Sequence, residues 1–207
     1  MTQHQLKKLF EPLNIRQKVF KNRIFSTGHM AVMLQEGFPT DDMIAYHEAK
    51  AKGGAALTII EAARLHPSGN SGRPAIRAYD PRCVSGYKKL STKCHNYDCL
   101  VFGQLTHPGR EMTNLEDGTI PVAYAPSASP NERFHIMPRE MSEQMIDEIV
   151  TGYKISAQNL RTAGLATLNT REKFNCIFKH TSITYIFYTS CVLVYQVLKF
   201  QLLVNVS

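Results

Sequence analysis

The run Ala55-Ala56-Leu57-Thr58-Ile59-Ile60-Glu61-Ala62 decides the fold class of this 207-residue chain. It is almost entirely apolar, which is typical of a β-strand that is buried on both of its faces. Strands of that kind belong to parallel sheets whose faces are covered by helices. The run therefore predicts an α/β protein.

Helical segments flank this strand. Before it, Thr40 offers an N-cap oxygen, Asp41 and Asp42 suit the positive end of a helix dipole, and Gly53-Gly54 ends the helix. A second helix is predicted from apolar side chains at helical spacing, namely Val84, Tyr87, Leu90 and Cys94. A third helix is expected to begin after Ser142 and to end at Gly164.

Two further strands complete a regular alternation of strand and helix. The first follows a short turn within residues 20–28, and the second spans residues 99–105. A loop rich in Pro, Gly, Ser and Asn follows the second strand over residues 106–139. Strands that alternate with helices indicate βαβ units and a parallel sheet. We therefore expect a (β/α)8 TIM barrel that is truncated after about three βα units, with residues 1–165 as its N-terminal part.

Residues 166–207 do not continue this pattern. A fourth strand is expected near Leu165, but no Gly or Pro follows Gly164 and the strand-turn-helix rhythm ends there. We interpret residues 166–207 as an aberrant or poorly folded hydrophobic tail, translated sequence that is foreign to the domain. Residues 183–198 carry no charge, so a membrane segment is the alternative, but the run is shorter than the ~20 residues that such a helix needs.

Charge and cysteine content limit the classes of partner and compartment. The formal net charge is +7, yet no basic run exceeds a pair of lysines, so nucleic-acid binding is not indicated. The five cysteines form no CxxC pair and are odd in number, which fits reduced thiols better than a disulfide framework. Because no apolar leader follows the polar start of the chain, we expect a cytoplasmic protein.

Polar residues stand at the carboxyl ends of all three predicted strands, in the runs 26–30, 61–64 and 104–111. Ligands of parallel barrels meet the carboxyl ends of the strands and the loops that follow them. A small-molecule site is therefore predicted there. No HxH or HExxH spacing supports a metal site.

Seven motifs between Leu9 and Leu165 occur in an order and at a spacing that resemble one enzyme family. They are Leu9-Phe10-Glu11-Pro12-Leu13, Lys21-Asn22-Arg23-Ile24, Tyr46-His47-Glu48-Ala49-Lys50-Ala51-Lys52-Gly53-Gly54, Ile60-Glu61-Ala62, Gly103-Gln104-Leu105-Thr106-His107-Pro108-Gly109-Arg110, Ala125-Pro126-Ser127-Ala128 and Pro138-Arg139-Glu140-Met141-Ser142. The chain thus resembles the Old Yellow Enzyme-like NADH:flavin oxidoreductases, which include dienoyl-CoA reductase and trimethylamine dehydrogenase.

The resemblance implies a barrel that holds FMN without a covalent bond and takes electrons from NAD(P)H. The hydride would pass through the flavin to an activated alkene or come from an amine. By position, the flavin contacts would be backbone groups of Thr27 and Gly28, Met30 near the reactive edge, Ala62 close to the ring, and Gln104 at the pyrimidine end. For Gln104 the alternative is a buried amide satisfied by the backbone.

No catalytic residue can be assigned from the sequence. His107 is a candidate, and the alternative is a histidine that only shapes the turn before Gly109. In the family, the second half of the barrel supplies the substrate-binding pair and the phosphate site, so the resemblance implies an impaired enzyme here. Two other functions stay open: a non-catalytic barrel fragment that associates through exposed sheet edges, and a metal-dependent hydrolase or aldolase that would use Glu61.

Overall fold

The computed structural model describes residues 6–165 apart from residues 16, 116 and 134. Four helices lie in this part of the chain: α1 (Lys7–Phe10), α2 (Asp41–Lys52), α3 (Cys83–His95) and α4 (Glu143–Thr162). The strands are β1 (Leu13–Ile15), β2 (Lys18–Phe20), β3 (Phe25–Ser26), β4 (Leu34–Gln35), β5 (Phe38–Pro39), β6 (Leu57–Arg64), β7 (Ile76–Arg77), β8 (Leu100–Thr106), β9 (Tyr124–Ala125) and β10 (Arg139–Glu140).

A parallel sheet organises these elements. Strand β6 lies in its centre, pairs with β8 along one edge, and pairs with β3 and then β7 along the other. Helices α2, α3 and α4 follow β3, β6 and β8 in the chain, so the predicted α/β class and its three βα units are confirmed. Among the described residues, the outer edge of β8 has no strand partner.

The helix ends form where the sequence predicts them. Thr40 Oγ1 accepts from the Met43 backbone N–H at the start of α2, and Ser142 Oγ accepts from the Met145 N–H at the start of α4. Helix α4 is followed by Gly164 in the left-handed region, at φ +81°. These caps satisfy orphan amides at the two helix starts, so each helix is placed with a defined beginning on the sheet.

The main core lies between the sheet and helices α2, α3 and α4. Its fully buried members include Tyr87, Leu90 and Cys94 from α3, which the helical spacing predicts to share a face. The thiols of Cys83, Cys94 and Cys99 are free and buried, and burial raises the pKa of the Cys94 thiol to about 12. These buried thiols act as small apolar side chains in the core.

A smaller apolar cluster closes the amino ends of the strands. The antiparallel hairpin of β1 and β2 places Phe20 against Phe25 and Phe102, with ring centroids 5.0 and 6.3 Å apart. Buried Ala56 and Leu57, at the start of β6, complete this cluster. Because apolar packing covers this end of the sheet, polar chemistry is left to the opposite end.

Helix α4 lies unusually close to the end of β6. A Cβ added at Gly152 would lie 2.4 Å from the backbone oxygen of Leu65. Gly103, on β8, faces the same helix, and a Cβ there would overlap the side chain of Leu160. The glycines therefore set the distance between α4 and the sheet.

A β-bulge interrupts β6 just before its carboxyl end. Ile59 pairs with Phe102 and Ala62 pairs with Gln104, so two residues on β6 stand opposite one residue on β8. After the bulge, Glu61 and Ala63 are buried whereas Ala62 and Arg64 are partly accessible. The bulge thus sets which side chains of β6 reach the surface at the carboxyl end.

The predicted tail over residues 166–207, including the alternative membrane segment 183–198, lies outside the described residues. Within residues 6–165, no helix combines the length and apolar character that membrane crossing requires.

Candidate functional site at the carboxyl ends of the strands

Three of the five predicted cofactor residues come together at the carboxyl end of the sheet. Ala62 and Gln104 stand opposite each other in the register of β6 and β8. Gly28 follows β3, and a Cβ added to it would lie 3.0 Å from Gln104 Oε1 and 3.2 Å from the Ile60 carbonyl oxygen. Residues far apart in sequence therefore form one surface of small side chains with a side-chain amide at its edge.

The other two predicted residues lie on the segment that leaves this surface. Thr27 is exposed, and Met30 is 45% exposed. Between them, His29 stands edge-on to the Tyr46 ring and hydrogen-bonds the Tyr46 hydroxyl. The segment thus places the Met30 thioether and the Thr27 backbone at the rim of the surface, next to Tyr46 of α2.

Glu61 fixes this segment in place. It is 1% exposed, and its Oε2 accepts hydrogen bonds from the backbone N–H groups of Ala31 at 2.6 Å and Val32 at 3.1 Å. Val32 has a φ of +56°, a conformation that a β-branched residue adopts only when its surroundings impose it. We infer that the carboxylate of Glu61 is what holds the turn after Met30.

The second oxygen of the Glu61 carboxylate is buried without a hydrogen bond from any described residue. Glu61 Oε1 and the Tyr87 hydroxyl are both buried and have no hydrogen-bond partner among the described residues. Burial, and to a lesser extent the charges of Cys83 and Glu61, raise the pKa of Tyr87 well above its usual value. Sequence reasoning places Glu61 at a strand end but misses its anchoring role, for which the signal is a carboxylate inside an otherwise apolar run.

Replacing Glu61 by Ala is expected to lower the free energy of unfolding by about 2–4 kcal/mol, because two buried backbone donors lose their acceptor. Glu61→Gln keeps one acceptor oxygen and should cost about half as much. Urea unfolding measures both, and Glu48→Gln, which disrupts only the half-exposed contact of Glu48 with Lys93 at 3.4 Å, is the control. Equal stability of Glu61→Ala and wild type would rule out the anchoring role.

His107 sits in a closed hydrogen-bond chain rather than on the strand-end surface. Its Nδ1 accepts from the Gly109 N–H at 3.0 Å, and its Nε2 lies 2.9 Å from Ser68 Oγ. Ser68 in turn contacts His66 Nδ1 through both its hydroxyl, at 2.7 Å, and its backbone N–H. The only tautomers consistent with these donors have His107 donating from Nε2 to Ser68, and Ser68 donating to His66.

Burial and charge keep His107 neutral. It is 1% exposed, and burial, helped by the nearby His66 and Arg64, lowers its pKa to about 3. Protonation at Nδ1 would also set two donors against each other at Gly109. This geometry favours the turn-shaping alternative for His107 over a catalytic role.

Among the described residues, no three side chains of His, Cys, Asp or Glu gather closely enough to hold a metal ion. One carboxylate oxygen of Glu61 already accepts hydrogen bonds from two backbone N–H groups. The arrangement suits a flat organic ligand better than a metal. Such a ligand could lie over the small side chains and form hydrogen bonds along its edge with the Gln104 amide.

Parallel strands with helices behind them and polar side chains at their carboxyl ends are an arrangement typical of βα-barrel proteins. The chain belongs to the NADH:flavin oxidoreductase / NADH oxidase family, whose model matches residues 8–169. The family predicted from the motifs is therefore confirmed.

Individual relatives support the same family. The chain is 31% identical over 159 residues to an NADH oxidase of Thermoanaerobacter brockii, covering 75% of this chain and 24% of that protein. It is 26% identical over 163 residues to the multifunctional alkene reductase/demethylase OYE of Caballeronia cordobensis, covering 78% and 24%. An NADPH dehydrogenase of Listeria monocytogenes is 28% identical over 161 residues, covering 77% and 46%.

Solved structures share the fold. A 2-naphthoyl-CoA reductase in complex with 2-naphthoyl-CoA matches with a TM-score of 0.69 at 22% identity, over 78% of this chain and 26% of that one. The old yellow enzyme homologue from Zymomonas mobilis matches with a TM-score of 0.67 at 23% identity, over 77% and 47%. The chain thus spans between about a quarter and a half of the length of the proteins that it matches.

Proposed function

We propose that residues 6–165 form the flavin-contacting part of an FMN-dependent NAD(P)H oxidoreductase. The observation that carries the proposal is the close approach of Gly28 to Gln104 and the Ile60 carbonyl, where an added Cβ would make tight contacts of 3.0 and 3.2 Å. It leaves a flat surface at the position where the family resemblance puts the ring. Members of the family bind FMN and use NAD(P)H as reductant.

The residues present fit FMN in size and in chemistry. Gly28 and Ala62 present almost no side chain, so a planar ring can approach the backbone of β3 and β6 closely. The Gln104 amide offers a donor and an acceptor, which matches the alternating carbonyl and N–H edge of a flavin pyrimidine. Thr27 would bind through its backbone, and Met30 would cover the ring edge.

When bound, FMN supplies the hydride chemistry, accepting a hydride from NAD(P)H for delivery to an activated alkene, or taking one from an amine. The described residues would bind and orient the ring and exclude water from its lower face. Glu61 would act as a positioning residue, since it holds the turn that carries Met30. We assign no proton donor, because both ring nitrogens of His107 already form hydrogen bonds, with Ser68 and with Gly109.

We further propose that this chain by itself retains FMN poorly and turns over little substrate. The groups that the resemblance assigns to substrate binding and to the FMN phosphate have no counterpart in residues 1–165. In this proposal residues 166–207 are not part of the domain, and the protein resides in the cytoplasm. Its partners would be small molecules and not nucleic acid, with association through exposed sheet edges as the alternative.

Flavin titration tests the proposal. We expect weak, substoichiometric FMN binding to the 207-residue chain, seen as quenching of flavin fluorescence, and little bleaching of the bound flavin by NADPH. Gly28→Val should abolish this binding, because the added side chain meets Gln104 and the Ile60 carbonyl. Gln104→Ala should weaken it by about tenfold, the usual effect of losing one or two hydrogen bonds to a ligand.

The control is Gln35→Ala, which changes an exposed amide on β4 outside the surface. Absence of FMN binding to the wild type, or equal binding by Gly28→Val, would refute the flavin site. Stoichiometric binding with complete bleaching by NADPH would instead refute the impaired activity while leaving the flavin site intact.

A second candidate function is a non-catalytic fragment that associates through its sheet. The observation that favours it is the seven-residue strand β8, whose outer edge has no strand partner among the described residues. Size-exclusion chromatography separates the alternatives. A discrete dimer would support association through β8, whereas a monomer would argue against it.

A further inference from the structure

A cavity of about 530 Å³ opens beside the carboxyl end of β6, on the side of β7. Three arginines line it, Arg64 from β6, Arg77 from β7, and Arg73 from the loop between them. A cavity of this size is in the range that holds a small organic ligand.

The three guanidinium groups form no salt bridge with a described residue, although Arg77 and Asp80 attract each other at longer range. None of them lies within 4.0 Å of a carboxylate of any residue that the structure describes. Two acidic residues also line the cavity, but Asp117 uses its carboxylate to accept from the backbone and hydroxyl of Thr119, at 2.9 and 2.7 Å. The other, Glu36, is exposed.

The Arg64 guanidinium has a buried hydrogen-bond donor without an acceptor among the described residues. Its Nε is buried and has no hydrogen-bond partner, and its Nη2 donates only to Ser71 Oγ, at 3.2 Å. Burial and the charge of Arg73 both lower the pKa of Arg64. A partly buried cation that is held near a second cation is destabilised unless an anion accompanies it.

The walls of the cavity are fixed rather than loose. A Cβ added at Gly72 would overlap the backbone oxygen of Asn114, so the loop with Arg73 lies directly against the following loop. Arg77 is held by its backbone, whose N–H donates to the Gly37 carbonyl at 3.0 Å. The backbone that carries Arg73 and Arg77 is thus fixed before any ligand arrives, which reduces the ordering cost of binding.

We propose that this cavity is a binding site for an oxyanion, a phosphate or carboxylate group of a small molecule, held by Arg64, Arg73 and Arg77. The planar fork of a guanidinium matches the two oxygens of either group. Arg64 lies two residues beyond Ala62 on the same strand, so the anion would lie next to the strand-end surface. The inference needs no bound flavin, so it stands or falls separately from the proposed oxidoreductase.

Isothermal titration calorimetry of the full chain at constant ionic strength tests the site, with inorganic phosphate and succinate as probes. We expect saturable binding of at least one probe, weakened at least tenfold by Arg64→Met and by Arg73→Gln. Because Arg73 is exposed, Arg73→Gln is expected to fold even if Arg64→Met does not. Arg161→Gln, an exposed arginine on α4, is the matched control and should bind within twofold of wild type.

The probes also separate the two sources of the anion. Saturable binding of phosphate alone would support a phosphorylated ligand such as a nucleotide, and binding of succinate alone would support a carboxylate substrate. The proposal is overturned if neither probe binds saturably, or if Arg73→Gln and a folded Arg64→Met bind as the wild type does. It is also overturned if Arg161→Gln weakens binding as much as they do.

Discussion

Lowering the pH from 7 to 5 is expected to remove about 4 kcal/mol from the free energy of unfolding, through the buried histidines His47 and His107. His47 is 2% exposed, and its Nδ1 lies 2.8 Å from the Thr58 hydroxyl. Burial, with smaller contributions from Lys50 and His29, lowers the pKa of His47 to about 4. The pKa of His107 falls to about 3.

The sign follows from where the protons bind. An unfolded histidine has a pKa of about 6.5, so the unfolded chain takes up protons below that pH while the folded chain does not. The stabilisation is fully present above pH 6.5 and is lost as the pH falls to about 4 for His47 and to about 3 for His107. Each histidine contributes about 2 kcal/mol of this loss by pH 5, which is a large part of the stability of an ordinary domain.

Urea unfolding at pH 7, 6 and 5 measures the effect. His47→Asn offers an oxygen close to the position of Nδ1 and does not titrate, so it should flatten about half of the pH dependence. His135→Asn is the control, because His135 is exposed and asparagine tolerates its left-handed backbone, at φ +52°. A pH dependence in His47→Asn as steep as that of wild type would contradict the prediction for His47.

Replacing Gly152 by Ala is expected to lower the free energy of unfolding by about 3 kcal/mol or more. The same change in a helix usually stabilises a protein by about 0.5–1 kcal/mol, because glycine loses more backbone entropy on folding. Here the new methyl group would lie 2.4 Å from the Leu65 carbonyl oxygen. That oxygen belongs to the backbone just after β6, so it cannot move aside without shifting the sheet.

Thr151→Ala is the matched control for this prediction, since it changes the neighbouring exposed position of α4 to the same residue. It should leave stability unchanged or slightly raised, as the helix propensity of alanine requires. Thermal or urea unfolding of both variants decides the matter. If Gly152→Ala were as stable as Thr151→Ala, α4 would have to lie farther from β6 than described.

Local patterns were sufficient to predict the elements that depend on neighbouring residues. The apolar run 55–62, the cap residues Thr40 and Ser142 and the stop at Gly53-Gly54 each act within a few positions of the chain, and the structure forms helices and strands there. The meeting of Gly28, Ala62 and Gln104 also followed, because parallel strands bring their carboxyl ends to one edge.

Interactions between distant loops were beyond sequence reasoning. Ser68 hydrogen-bonds His107, which lies 39 positions later in the chain. Glu61 accepts a hydrogen bond from Ala31, which lies 30 positions earlier. No periodicity or motif spacing encodes which loop a side chain will meet. For the same reason Arg64 was visible as a strand-end residue, while its grouping with Arg73 and Arg77 was not.

The bulge in β6 bears on which changes of chain length this protein can accept. Deleting one residue between Ile59 and Ala62 would restore an uninterrupted ladder with β8, so the sheet itself would gain a regular pairing. The deletion would, however, remove either Ile60 or Glu61, and both of these residues are buried. Loss of Glu61 would leave the Ala31 and Val32 N–H groups without their acceptor, and loss of Ile60 would take a fully buried side chain from the core. In-frame deletions should therefore be tolerated in the long loop after β8 and rejected at this single step.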